Sequence, residues 1–173
     1  MQTHKNISII VAIDLNNSIG RDNKLMWHIS EDFKRFKKIT MGNPVIMGEK
    51  TFHSLPVKPL PGRKNIVLSD DLSFRYDGCI VVNSFESAIG AMDDEKENFI
   101  IGGEMIYKLF LPYANKIYLT KVLHTFDATA FFPDVDFSKY KIEEESDVFF
   151  DEKSNLKYKF IIYKIESPLK SMP

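Results

Sequence analysis

The run Ile7-Ser8-Ile9-Ile10-Val11-Ala12-Ile13 restricts the possible folds more than any other stretch of the chain. It has strand length, is rich in β-branched residues and is apolar almost throughout, so it predicts a central strand with both faces covered. The chain then alternates. Ser30 to Thr40 carries Phe33, Phe36 and Ile39 at helical spacing and ends near Gly42, a C-cap candidate. Strands are predicted at Pro44–Gly48, Asn65–Ser69, Gly78–Val82 and Asn98–Gly103. Short helices are predicted at Glu49–Leu55, after an N-cap at Ser84, and at Glu104–Leu111 with Ile106, Leu109 and Phe110 inward. This order predicts an α/β fold with a mainly parallel sheet and helices on both faces. The end differs: Lys116–Val122, Tyr140–Phe149 and Leu156–Ile165 are strand candidates with no helix between them. The last two form a hairpin around 151–155.

With 173 residues, a net charge of -1 and 44% hydrophobic residues, the chain suits one domain over 1–173, with a core from about 7 to 165 and a short tail at 166–173. No apolar run is long enough to span a bilayer, and Met1 to Asn6 lacks the features of a signal peptide. The single cysteine, Cys79, excludes an internal disulfide and fits a reducing cytoplasm. With no motif around it, it reads as a small buried apolar residue. Mixed charges give no reason to expect nucleic acid or a membrane as partner, and Lys34 to Lys38 reads as a solvated helix face. His4, His28, His53 and His124 are scattered, so no metal is expected.

Chemistry can sit in three places. Leu25 to Phe33 holds the only tryptophan, Trp27, and puts Asp32 at the start of an amphipathic helix. Asp32 either favours the positive end of that helix or serves as an acid with a tunable pKa beside aromatic groups. The helix start would lower that pKa and burial would raise it. Met47-Gly48-Glu49-Lys50-Thr51 and Ile101-Gly102-Gly103-Glu104-Met105 place glycines between a strand and a helix. Such junctions either make tight turns or bind phosphates and nucleotides. Neither carries a Walker A or a three-glycine dinucleotide fingerprint. The stretch from Asp14 to Lys24 reads as turn and loop, of a length that is often functional.

Taken together these stretches resemble bacterial-type dihydrofolate reductases, from about Ile7 to Ile165. The matching residues are Val11-Ala12-Ile13, Ile19-Gly20, Trp27-His28 with Asp32 and Phe36, Pro44 to Gly48, Lys50-Thr51-Phe52, Leu60 to Asn65, Ile101 to Gly103, Tyr107, Tyr118 to Thr120, and Phe132-Pro133. The resemblance implies a central sheet of about eight strands, an antiparallel C-terminal end and about four helices. It implies a cytoplasmic monomer that reduces 7,8-dihydrofolate to tetrahydrofolate with NADPH, serves one-carbon metabolism and binds antifolates. Asp32, Thr120, Trp27 and Leu25 would form the catalytic set, with Thr120 supporting Asp32. Val11, Phe33, Phe36, Leu55, Lys58, Leu60, Arg63 and Ile101 would hold the substrate, Arg63 taking the carboxylate of the glutamate tail. Ala12, Ile19, Gly20, Asn23, Gly48, Glu49, Lys50, Thr51, Ser54, Leu68, Ser69, Asp70, Gly102, Gly103, Glu104, Met105, Ile106 and Tyr107 would join Ile101 around the cofactor. The loop from about Asn16 to Met26 would close over the site.

The chain departs from this family at several points. Met26 and Ser30 stand where proline is usual, which removes stiffness, although Ser30 can still cap the helix. Thr129 stands where an acidic residue commonly braces the closing loop. Around the adenosine 2′-phosphate, Glu49, Asp70, Asn83 and Met105 stand where cations or small hydroxyls are common, and Lys50 and Ser69 remain as its partners. Weak discrimination between NADPH and NADH, or a shifted set of cations, is the expectation. Two rival readings are a reductase of another heterocycle, such as a pyrimidine intermediate of flavin synthesis, and a non-catalytic nucleotide-binding module.

Overall fold

The computed structural model describes residues 5–170. The expectations about a leader at Met1 to His4 and the end of the tail at 171–173 lie outside the described residues. In chain order the elements are β1 (Asn6–Ile13), β2 (Ser18–Gly20), α1 (Ser30–Thr40), β3 (Pro44–Gly48), α2 (Glu49–Ser54), β4 (Lys64–Leu68), β5 (Cys79–Val82) and α3 (Phe85–Ala91). They continue with β6 (Glu97–Gly102), α4 (Glu104–Phe110), β7 (Lys116–Val122), β8 (Ala130–Phe131), β9 (Lys141–Glu145), β10 (Phe149–Asp151) and β11 (Leu156–Lys164). The main sheet runs β10-β11-β7-β1-β6-β3-β4-β5, with β9 on the same edge of β11 as β10. From β7 to β5 the strands are parallel, whereas β11 is antiparallel to β7.

β1 lies inside the sheet, as its apolar run predicts. Its side chains divide with the two-residue period of a strand. Ile7, Ile9, Val11 and Ile13 enter one core, with Ala88 of α3 and Ile106, Tyr107 and Phe110 of α4. Ile10 enters the opposite core, with Phe52 and Phe99, where Phe36 and Ile39 of α1 cover it. The consequence for function is positional. β6 inserts between β1 and β3, and β7 takes the other side of β1, so the connections diverge there. In open α/β sheets, ligands bind at the carboxyl ends of the strands flanking such a point.

Several local expectations need correction. Ile19 and Gly20 are not loop; they belong to β2, which pairs with β8 in a separate small sheet. Ser30 does not cap α1. The N-cap is Ile29, without a side-chain bond, and its backbone oxygen accepts from the N–H groups of Asp32 and Phe33. Ile29 is fully buried, so its apolar side chain anchors the helix start where a polar cap would otherwise act. Leu109 is exposed, and Tyr107 takes an inward place on α4. Tyr107 tolerates burial because its hydroxyl donates to the Ile10 oxygen at 2.8 Å.

The strand expected over Tyr140–Phe149 is broken into β9 and β10. At the break, Ser146 N–H donates to the Phe160 oxygen, and Ser146 Oγ accepts from Phe160 N–H at 2.9 Å. A side chain thus replaces a backbone acceptor and interrupts the ladder. The exposed Lys141, Glu143, Glu144 and Glu145 of β9 also discourage a further strand from adding at this edge. Two other expectations hold. Ser84 Oγ caps α3 by accepting from Ser87 N–H, and the hairpin turns just after Asp151.

Asp14, buried at the end of β1, connects this sheet to the loops above it. Its carboxylate accepts from the N–H groups of Asn16, Ser18 and Phe126, each at 2.8 Å. Removing the acceptor leaves backbone donors unpaired, at about 1 kcal/mol or more each. Asp14→Ala should therefore lose about 3 kcal/mol in urea unfolding. An unchanged urea midpoint would contradict this role.

Candidate active site

A cleft of about 1260 Å³ opens beside the carboxyl ends of β1 and β6, between α1 and α2. Ile10, Val11, Ala12 and Ile101 form its sheet side. Phe33 and Phe36 come from α1, Thr51 and Ser54 from α2, and Leu55 and Leu60 from the segment after it. Asn23, Leu25 and Trp27 come from the loop before α1. Leu25, Phe33 and Val57 remain exposed at the mouth, an apolar rim that a flat ligand would cover.

Asp32 sits in the first turn of α1 and faces this apolar space. Thr120 Oγ1, on β7, donates to Asp32 Oδ1 at 2.6 Å. Thr120 pairs with Ala12 of β1, so the sheet register sets the position of the carboxylate relative to the cleft floor. Burial lifts the Asp32 pKa above its ordinary 3.8, while the Thr120 bond and the Arg35 charge oppose the rise. The balance left open by the sequence therefore falls on the side of burial. Trp27 packs 5.1 Å from the Phe126 ring, which holds the indole at the cleft.

The basic run after Asp32 is not uniformly solvated. Arg35 is half-buried, lines the cleft and lies 4.3 Å from the Phe160 ring centroid. Farther along the cleft, Arg63 donates from Nε to the Pro61 oxygen at 2.9 Å and from Nη1 to Thr40 Oγ1 at 3.2 Å. These two bonds orient the guanidinium plane at the end of α1.

The two glycine junctions are neighbours, because Met47 pairs with Gly102. Gly102 has φ +119, and a Cβ there would come within 3.2 Å of the Tyr107 ring. A Cβ at Gly48 would come within 3.1 Å of Ile106 Cγ1. The Gly102–Gly103 peptide is cis. Side chains are thus excluded along one edge, and backbone can approach a bound molecule closely.

The loops beside the cleft are tied together. Thr129 Oγ1 accepts from Asp22 N–H at 2.8 Å, so its hydroxyl takes over the bracing expected of a carboxylate. Phe132 N–H donates to the Asn17 oxygen at 2.7 Å, and Arg21 pairs with Asp127 at 2.9 Å.

Most of the expected residues line the cleft: Val11, Ala12, Asn23, Leu25, Trp27, Asp32, Phe33, Phe36, Lys50, Thr51, Ser54, Leu55, Leu60, Arg63, Ile101, Tyr107 and Thr120. Others do not. Lys58 turns away, its Nζ donating to the His53 oxygen at 2.8 Å. Gly48, Glu49, Leu68, Ser69, Asp70, Gly102, Gly103, Met105 and Ile106 lie at or just beyond the carboxyl ends of β3, β4 and β6 rather than in the cleft wall. Glu104 is engaged elsewhere, its Oε1 accepting from Phe131 N–H at 2.8 Å. Ile19 and Gly20 lie in β2 and do not line the cleft. Ser69 donates to Glu49 Oε1 at 2.5 Å, so one expected phosphate partner is occupied by one of the two anions.

Sequence reasoning missed several lining residues, among them Ile10, Arg35, His53 and Val57. Arg35 was within reach of it, because a residue three positions after Asp32 shares its helix face. Among the described residues, no three His, Cys, Asp or Glu side chains gather as a metal site, and no helix is long and apolar enough to cross a membrane.

Comparison with known proteins agrees with this geometry. A family model for dihydrofolate reductase matches residues 6–165. The dihydrofolate reductase of Bacillus subtilis is 40% identical over 95% of this chain and 98% of its own length. That of Haemophilus influenzae is 43% identical over 90% and 96%. A solved structure of the Enterococcus faecalis dihydrofolate reductase, complexed with NADP(H) and RAB-propyl, superposes with a TM-score of 0.86 at 30% identity, covering 95% of this chain and 98% of that one. A carboxylate set by β7 above an apolar cleft, two adjoining glycine junctions and a family match over nearly all of the sequence converge, and the chain belongs to the dihydrofolate reductase family.

Proposed function

We propose that the cleft reduces 7,8-dihydrofolate to 5,6,7,8-tetrahydrofolate, and that the observation carrying this reading is the Asp32–Thr120 pair in an otherwise apolar pocket. NADPH, when bound, supplies the hydride that reaches C6 of the pterin, and N5 takes a proton. The adjoining strand–glycine–helix junctions are of the kind at which nucleotide phosphates bind, while Gly48 and Gly102 themselves are required by close packing on Ile106 and Tyr107. Ala12, Thr51, Ser54 and Tyr107 stand on the cleft wall.

Asp32 accepts hydrogen bonds from the amino and ring N–H groups of the pterin and raises the proton affinity at N5. Thr120 keeps one carboxylate oxygen engaged, so the other faces the substrate. Trp27 and Leu25 limit water access, which strengthens each electrostatic contact inside. Phe33, Phe36, Leu55 and Leu60 hold the flat rings, and Arg63 takes the carboxylate of the tail. Residues 1–173 act as one domain and a cytoplasmic monomer. Its partners are dihydrofolate, folate analogues and antifolates. The pairing of Asp32 with Arg63 fits folate better than a pyrimidine intermediate, and a carboxylate held off its preferred solvent exposure fits catalysis better than helix capping.

Loss of NADPH absorbance in the presence of dihydrofolate, blocked by an antifolate, is the direct test. Asp32→Asn should lower kcat at neutral pH by about a hundredfold or more, the scale of a lost proton-side group, while the variant still binds NADPH. A raised folded pKa means that the folded protein binds more protons than the unfolded chain between about pH 3.8 and that pKa. Stability from this group therefore falls as pH rises through that window. Asp32→Asn should melt at or above the wild-type Tm at neutral pH, and the difference should close near pH 4. Near-normal turnover in this variant would overturn the assignment.

Arg63→Ala should raise KM for dihydrofolate about tenfold or more, the scale of a charge-assisted bidentate contact. Its effect on a pterin substrate without a glutamate tail should be small. Equal effects on both would refute the contact.

At the adenosine end, Lys50 is the cation opposed by Glu49 and Asp70, with Ser69 already donating to Glu49. Carboxylates there suit a ribose 2′-hydroxyl better than a 2′-phosphate. The ratio of kcat/KM for NADPH over NADH should be modest, and Lys50→Ala should lower it further. A large ratio unchanged in Lys50→Ala would exclude this arrangement.

A further inference from the structure

Two residue pairs bind α1 to the sheet at the same place. Asp32 meets Thr120 of β7, and Arg35, one turn later on the same helix face, stacks on Phe160 of β11. Thr120 and Phe160 are themselves direct cross-strand partners. The three-residue step of the helix is thus matched to one rung of the sheet. This fixes the Arg35 guanidinium on the helix face of Asp32, with its plane covered on one side by an aromatic ring and its charge acting on the carboxylate through space rather than through a direct ion pair.

We infer that Arg35 is a positioning residue for the reaction: seated on Phe160, it holds a fixed positive charge on the helix face of Asp32 and favours the ionised carboxylate in a pocket that disfavours charge. The inference rests on Asp32 acting as proposed above. Burial in an apolar cleft favours the neutral acid, and a neutral acid cannot offer two acceptors to a pterin. Thr120 supplies one hydrogen bond but no charge. Arg35 supplies the charge, and its guanidinium cannot be deprotonated in the working pH range.

The other groups around the pair do not replace it. Tyr107 of α4 and Tyr158 of β11 are phenols whose pKa values burial raises, so they stay neutral. Tyr118 of β7, near Arg35, is raised by burial and by Glu97. Glu31 is exposed and pairs with Lys34 at 3.1 Å. Burial lowers the Arg35 pKa, and the charges of Asp32 and of Glu144 on β9 oppose that fall. Arg35 is the cation whose charge opposes the rise of the Asp32 pKa, and its seat comes from β11 rather than from the helix.

The test is the titration of Asp32, followed by carboxyl-carbon NMR in the ligand-free protein, together with the pH profile of kcat/KM for dihydrofolate. Arg35→Met keeps length and apolar packing but removes the charge. It should move both ionisations upward by about one unit, the lower end of the range for an opposite charge nearby. Arg35→Lys should restore most of the shift, and Phe160→Leu, which removes only the stacking platform, should move both partway. A purely structural role would change Tm without moving either titration. Unmoved titrations in folded Arg35→Met, or a KM change without a pH shift, would overturn the inference. If Asp32→Asn is inactive while Arg35→Met titrates normally, only the role of Arg35 fails; if Asp32→Asn turns over normally, the reading of the site itself fails.

Discussion

The hydrogen bond from Thr120 to Asp32 is the contact on which the functional geometry depends. It crosses from a central strand to the helix that covers it, joining two layers through side chains facing the cleft. Without it, the first turn of α1 would be placed only by apolar packing, which is non-directional. With it, a carboxylate that burial would push towards the neutral form stays oriented over the floor made by Ala12 and Ile101. A carboxylate held in such a pocket at a cost to the charged form is the kind of group found at functional sites.

The same layer boundary explains how the cofactor side and the substrate side meet. β6 lies between β1 and β3, so the Gly102 junction adjoins both the Gly48 junction and the strand that ends beside Thr120. Tyr107 closes the arrangement by bonding from α4 to the Ile10 oxygen of β1. The two glycine junctions and the apolar cleft therefore lie at the same end of the sheet. Above them, Asp14, Thr129 and the short β2–β8 sheet tie the loop over residues 16–26 to the segment around Phe126 to Phe132. The missing prolines at 26 and 30 leave this loop less constrained by its own backbone, and these cross-loop bonds supply the constraint instead.

Much of this was readable from the chain itself. The period of the apolar residues marked most of the strands and helices in chain order, and the nearly continuous apolar character of Ile7 to Ile13 placed that strand inside the sheet. The glycine junctions were visible as such, as was Asp32 at a helix start. The errors were local and share a cause. Ile19 and Gly20 read as loop because a three-residue strand has no period of its own and forms only when β8 is beside it. Ser30 read as a cap because its type permits one, but the buried Ile29 anchors that end of the helix. Tyr140 to Phe149 read as one strand because the break depends on Ser146 meeting Phe160.

By itself, then, the sequence determined the fold class, the mainly parallel character of the sheet, the family and most of the residues that line the cleft, because each depends on periodicity or on short motifs. Tertiary structure decided what depends on pairs distant in the chain. It decided that burial outweighs the helix start in setting the pKa of Asp32, that Ser69 is spent on Glu49, that Lys58 turns out of the site, and that Arg35 leaves the solvated face to stack on Phe160. Desolvation and stacking arise from what surrounds a group in space, and no local pattern of residues around position 32 or 35 contains a residue from the last strand.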